Sequence, residues 1–206
     1  MTASQIGPLM AFLLAMAYSP GPGNSFMAAL GSRGGVRATL PSTTGYHLAT
    51  WVVTVLIGAG VGRALFTHPL VAAALGYGGA AYVLWLGVRA WRRSGRQRGP
   101  DDIDGIPGFW SGVALLVLNP KAYLIIGLLF TQFRAPSPGE HLRWLLIVTT
   151  IFTVNNLVAF GVWAAVGDRL GRWARRRGAT MTVDRSFALA LIGVGVWLLV
   201  SAASVA

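Results

Sequence analysis

The chain has 206 residues, of which 54 % are hydrophobic and only 11 % charged, with a mean hydropathy of +0.60. A soluble globule would carry about a quarter of its residues as Asp, Glu, Lys or Arg, so the composition is that of an integral membrane protein. Cysteine is absent and His47, His68 and His141 are scattered, which excludes disulfide frameworks, cysteine nucleophiles and a clustered histidine metal site.

Stretches free of Asp, Glu, Lys and Arg cover 3–32, 38–62, 64–88, 144–167 and 186–206, each long enough for the roughly 20 residues a helix needs to cross a bilayer. A sixth stretch, 105–133, is interrupted only by Lys121. Open backbone cannot face lipid, and these runs exceed the roughly 10 residues of a barrel strand, so the spans are expected to be helices. The expected fold is therefore all-α: a single transmembrane transporter domain over 1–206 with six transmembrane helices. The first run precedes every basic residue and is too long for a cleavable leader, so it is kept as span one. The connections are short. The longest, over 94–106, reads as a linker (about 93–107) between repeat one (about 1–92) and repeat two (about 108–206).

The 17 basic and 6 acidic residues give a net charge of +11, which by itself would suit a nucleic-acid partner. Their positions give it another meaning. The connection after span one holds Arg33 and Arg37, and that after span three holds Arg89, Arg92, Arg93, Arg96 and Arg98. The one after span five holds Arg169, Arg172, Arg175, Arg176, Arg177 and Arg185. The opposite side has only Arg63, Arg134 and Arg143. Arginine excess marks the cytoplasmic side, which places both termini outside and makes the basic balance topological, with no nucleic acid expected. Tyr82, Trp85, Trp91 and Trp110 read as interfacial anchors.

Span one contains Ser19-Pro20-Gly21-Pro22-Gly23-Asn24, where two prolines remove backbone donors and break the helix. Span four contains Asn119-Pro120-Lys121 at a similar depth. Three spans per half is an odd number, so the two repeats are inverted and each opens with a broken helix. Paired interruptions of this kind point to a transporter's site, because irregular backbone at membrane depth survives only beside protein or a cavity. The half-helix N-termini would offer N–H groups to a carboxylate. The competing reading is a pair of proline kinks that only shape packing.

Lys121, the one lysine, sits inside an otherwise uncharged span, where an isolated ammonium is costly and marks a functional candidate unless it snorkels to an interface. Thr149, Thr150, Thr153, Asn155 and Asn156 concentrate polarity in span five, as cavity lining or as interhelical hydrogen bonds. No carboxylate lies within a span; Asp168 stands at the end of span five. A transported proton would therefore be handled by Lys121, His47, Asp168 or the substrate itself. Small residues at spacing four, as at Gly167 and Gly171, allow close helix approach.

The motifs Ser19-Pro-Gly-Pro-Gly-Asn24, Ala81-Tyr-Val-Leu-Trp-Leu-Gly87 followed by Arg89, and Phe109, Gly112, Leu118-Asn-Pro-Lys-Ala122, Gln132 and Phe133 occur in that order. Together they resemble the lysine exporter (LysE/RhtB) family of amino-acid exporters. The resemblance implies a six-helix bacterial inner-membrane bundle that exports amino acids or derivatives, usually driven by the proton motive force, without a cofactor. Pro20, Gly21, Pro22, Asn119, Pro120 and Lys121 would form the breaks around the substrate. With Ser19, Asn24, Asn155 and Asn156 they make up the expected substrate site. Members of that family often carry an acidic residue in the fifth helix where this chain has Asn155 or Asn156, which favours a neutral substrate over lysine. The expected partners are an amino-acid substrate and the lipid bilayer, with monomer and homodimer both open. The rival readings are a metal-ion exporter, which lacks the usual ligands here, and a membrane-embedded enzyme or lipid-handling protein. An enzyme would need a pair such as Ser19 and His47 to meet.

Overall fold

The computed structural model describes residues 3–60, 69–95, 107–133 and 137–203. Residues 96–106 of the linker, with Arg63, His68, Arg96, Arg98 and Arg134, lie outside the described residues. Every regular element among the described residues is helical. They are α1 (Ala3–Tyr18), α2 (Pro22–Gly58), α3 (Pro69–Arg92), α4 (Phe109–Val117), α5 (Pro120–Gln132), a 3-10 turn (Pro138–Glu140), α6 (His141–Arg176) and α7 (Thr180–Ala203).

Helices run past the limits set by the uncharged stretches. α6 continues through Asp168, Arg169 and Arg172, and α7 starts ahead of Asp184 and Arg185. At a membrane face charged side chains reach water, and the Asp168–Arg172 pair at i,i+4 supports the last turns of α6. Gly178 (φ 66°) ends that helix, with the Ala179 amide donating to the Ala174 carbonyl at 2.8 Å, the closure that lets α7 begin at once.

α2 is not one rod. Gly35 has φ 75° and ψ 174°, a backbone state reserved for glycine. Thr43 Oγ1 donates to Met27 Sδ at 3.4 Å, although 16 residues separate them and a straight helix would hold them about 24 Å apart. The element therefore folds back at Gly35 into a first arm, 22–34, and a second arm, 36–58. α4 and α5 are bent by 62° across their own break.

α2 packs against α6 and α4, while α3 packs against α7. Where the first arm of α2 crosses α6 there is no room for side chains. A Cβ at Gly31 would meet the Ala164 carbonyl oxygen, one at Gly167 that of Ala28, and one at Gly171 that of Ser32. The spacing of Gly167 and Gly171 thus serves close backbone approach.

Polarity is reversed relative to a soluble protein. Val154, Val158, Val162 and Val166 form a stripe on α6 that is 44–52 % exposed, whereas Thr149 and Asn156 on the opposite face are 0 % and 8 % exposed. α6 and α7 are each long and apolar enough to span a bilayer, and the bent α4–α5 pair qualifies as a third span. The chain is a membrane protein, all-helical over the described residues.

Among the described residues, arginines of the three basic connections meet at one end. Arg33 donates to the Arg93 carbonyl, and its Nε lies 3.6 Å from Asp184 Oδ2, which also accepts from the Gly95 amide at 3.3 Å. Arg175 donates to the Ser32 carbonyl at 3.0 Å. Arg89 sits over Trp85 and Arg185 over Trp91, at 5.1 and 4.9 Å, while Trp85, Trp91 and Trp110 remain exposed. This suits aromatic anchors at a membrane face.

Candidate functional site

The two breaks face each other. At the first, Asn24 Nδ2 donates to the carbonyls of Ala17 and Ser19, both at 2.8 Å, and so ties the end of α1 to the first turn of α2. At the second, Asn119 caps α5: its side chain accepts from the Lys121 amide at 3.1 Å and Pro120 fills the first helical position. Lys121 Nζ then reaches across, donating to Ser19 Oγ (2.8 Å), the Ser19 carbonyl (3.0 Å) and the Pro20 carbonyl (3.1 Å). All three ammonium donors are used within the first break, which is how the charge is tolerated at this depth.

Gly21 is extended (φ −175°, ψ 178°) and serves here by closeness: a Cβ would stand 2.9 Å from Lys121 Nζ. The starts of α2 and α5 differ. Asn119 closes the start of α5, but no side chain caps α2. Gly23 and Asn24, in its first turn, line the cavity, which puts the positive end of that half-helix beside it.

The cavity between the breaks is small, about 30 Å³, room for a water molecule or two. Gly21, Pro22, Asn24, Asn119, Lys121 and Asn156 line it, with Tyr46, Thr50, Phe152 and Phe160 as further wall. Asn119 Nδ2 donates to Tyr46 Oη at 3.3 Å. No carboxylate is among the lining residues. A second cavity of about 50 Å³ lies at the arginine-rich end, with Arg33, Arg89 and Arg93 in its wall beside Phe26, Leu30 and Leu191.

Other predicted residues fall elsewhere. The adjacent asparagines part company: Asn156 faces the cavity, whereas Asn155 donates to the Leu13 carbonyl at 3.0 Å and fastens α1 to α6. His47 is buried behind the cavity wall, edge-on to Phe160 at 4.9 Å, with Nδ1 bonded to the Thr43 carbonyl at 2.7 Å. Ser19 Oγ donates to the Met16 carbonyl at 2.8 Å and accepts from Lys121, so Ser19 and His47 do not form the pair an intramembrane hydrolase would need. Asp168 pairs with Arg172 beside Gly35, at the arginine-rich end and away from the cavity. Among the described residues no group of three His, Cys, Asp or Glu side chains assembles. Sequence reasoning missed Tyr46, Thr50 and Phe160. The polar tract at 149–156 hinted at the right face of α6, but nothing singled out these three.

A helical membrane protein with a polar-lined cavity where two broken helices meet falls in the class of membrane transporters. The chain belongs to the LysE type translocator family, whose model matches residues 14–202. It is 28 % identical over 191 residues to a homoserine/homoserine lactone efflux protein of Salmonella typhi, covering 89 % of this chain and 90 % of that one. It is 24 % identical over 199 residues to a cysteine/O-acetylserine efflux protein of Escherichia coli K12, covering 96 % and 100 %. An uncharacterized membrane protein of Vibrio cholerae is 28 % identical over 199 residues, covering 92 % and 95 %. No solved structure matches the chain.

Proposed function

We propose that this protein is a secondary transporter that exports a small neutral amino acid or amino-acid derivative from the bacterial cytoplasm by alternating access. The observation that carries the reading is Lys121, held on the Ser19 and Pro20 carbonyls beside the uncapped start of α2. A substrate carboxylate entering the cavity would exchange with those carbonyls for Lys121 Nζ and meet the amides of Gly23 and Asn24. Its amine would face Asn156, Tyr46 and Asn119. Relatives named for efflux of homoserine and of O-acetylserine, whose side chains carry no charge, support the neutral class.

In this reading the chain forms six spans as two inverted halves: α1 with the first arm of α2 makes one broken span, and α4 with α5 makes its counterpart. The arginine-rich end is cytoplasmic and both termini are outside. Arg33 and Arg89 around the second cavity would draw carboxylates in from that side. Lys121 is then a latch between the halves, released when the substrate takes its place. The drive is the proton gradient. With no carboxylate in the cavity wall, the exchanged proton resides on Lys121 or on the substrate's own amine and carboxylate.

The test is efflux of a panel of neutral and basic amino acids from dipeptide-fed cells, with and without the protein, at two external pH values. Selective loss of one neutral amino acid to the medium, faster at lower external pH, is the expected result. Efflux of none, from protein shown to be in the membrane, overturns the reading. In the same assay Asn156→Asp should place a carboxylate opposite the substrate amine and shift preference about tenfold toward lysine, a change worth roughly 1.4 kcal/mol. An unchanged ranking would remove Asn156 from the specificity pocket.

A further inference from the structure

The two halves of the α2–α6 contact are built differently. The first arm of α2 meets α6 backbone to backbone through Gly31, Gly167 and Gly171. The second arm runs the opposite way along α6. Its register is set by His47 against Phe160, Trp51 Nε1 donating to Thr150 Oγ1 at 3.3 Å, and Gly58 against Leu145. That register places Thr54 opposite Thr149, and Thr50 near Thr153 and Asn156.

Threonine inside a helix ordinarily returns its hydroxyl to the carbonyl four residues back. Thr50 and Thr150 do so, each at 2.8 Å. Thr54, Thr149 and Thr153 have buried hydroxyls with no hydrogen-bond partner, and Thr54 and Thr149 are 0 % exposed. These orphan groups form a stripe leading from the cavity toward the Glu140 end. The seam then closes on Trp144, Leu145 and Val148, which pack with Leu9 and Leu13 of α1. Buried polar atoms left unmatched in one state of a membrane protein are accounted for if water or substrate reaches them in another.

We propose that the seam between the second arm of α2 and the N-terminal half of α6 is the exit route, closed here, which parts toward the Glu140 end and wets Thr54, Thr149 and Thr153. The glycine-packed half stays shut and acts as the fixed side of the movement. The proposal rests on the alternating-access reading above and names the surfaces that separate.

The absence of cysteine makes the test clean. A Thr54→Cys, Thr149→Cys double variant should export normally when reduced. Once its two thiols are joined by a short bis-maleimide it should lose at least tenfold of its export rate. In a Thr149→Cys single variant, a membrane-impermeant thiol reagent added outside should label the thiol several-fold faster when exported substrate is present. Joined protein that exports at the reduced protein's rate would overturn the proposal. So would a Thr149→Cys thiol that stays unreactive with and without substrate, a readout that survives even if the double variant does not insert. Failure of wild-type export would instead strike at the transport reading itself.

Discussion

Replacing Lys121 by alanine should lower export about 100-fold while the protein still reaches the membrane. The change removes the ammonium that bridges the two breaks and strands the Pro20 carbonyl at membrane depth, while the Ser19 hydroxyl and carbonyl keep only their bonds to Met16 and Asn24. Hydrogen bonds to a charged group contribute about 1.5–3 kcal/mol each, and a rise of about 3 kcal/mol in the transport barrier corresponds to roughly 100-fold slower export. Efflux rate per unit of membrane-inserted protein is the measurement. Normal export from a folded Lys121→Ala protein would leave the latch without support. Lys121→Arg offers a sharper comparison. Its charge is kept, but the planar guanidinium cannot reproduce a three-point contact at 2.8–3.1 Å, so export should remain well below wild type.

The second large effect concerns stability. Gly167→Val should destabilise the solubilised protein by about 2–3 kcal/mol or prevent assembly, because even the first carbon of the side chain would collide with the Ala28 carbonyl. The obstruction is backbone, which cannot swing aside as a flexible side chain does. Gly161→Val, six residues earlier on the same helix, supplies the contrast: a Cβ there meets nothing within 4 Å. Thermal melts of the two purified proteins in one detergent should separate them clearly. Equal melting temperatures would mean that the crossing can spread without loss.

Both breaks were readable in the amino-acid sequence because proline and glycine act locally: Pro20, Pro22 and Pro120 deny the helix its donors whatever surrounds them. The arginine asymmetry was readable for a similar reason, since it needs only residue order. The cavity wall was harder. Neighbouring residues on a helix point about 100° apart, so Asn155 and Asn156 could not be told apart until the rotation of α6 against α1 was fixed. Tyr46, Thr50 and Phe160 depended on the fold-back at Gly35, one glycine among 27. The partners of Lys121 lie about a hundred positions away, at Ser19 and Pro20, and no spacing rule reaches so far. Uncharged stretches also misplaced the helix ends, since pairs such as Asp168–Arg172 carry a helix beyond its apolar part.

α6 has 36 residues, about 54 Å of helix at 1.5 Å per residue, against a hydrocarbon layer of about 30 Å. In the proposed orientation both of its ends therefore stand clear of the lipid. His141 lies 15 residues before Asn156, so a tilt of about 10° of that half, pivoting at the cavity, would sweep the Glu140 tip through about 4 Å while the glycine-packed half keeps its place. A fluorophore on that tip would thus report, amplified and from the aqueous side, motions at the cavity that are too small to follow directly.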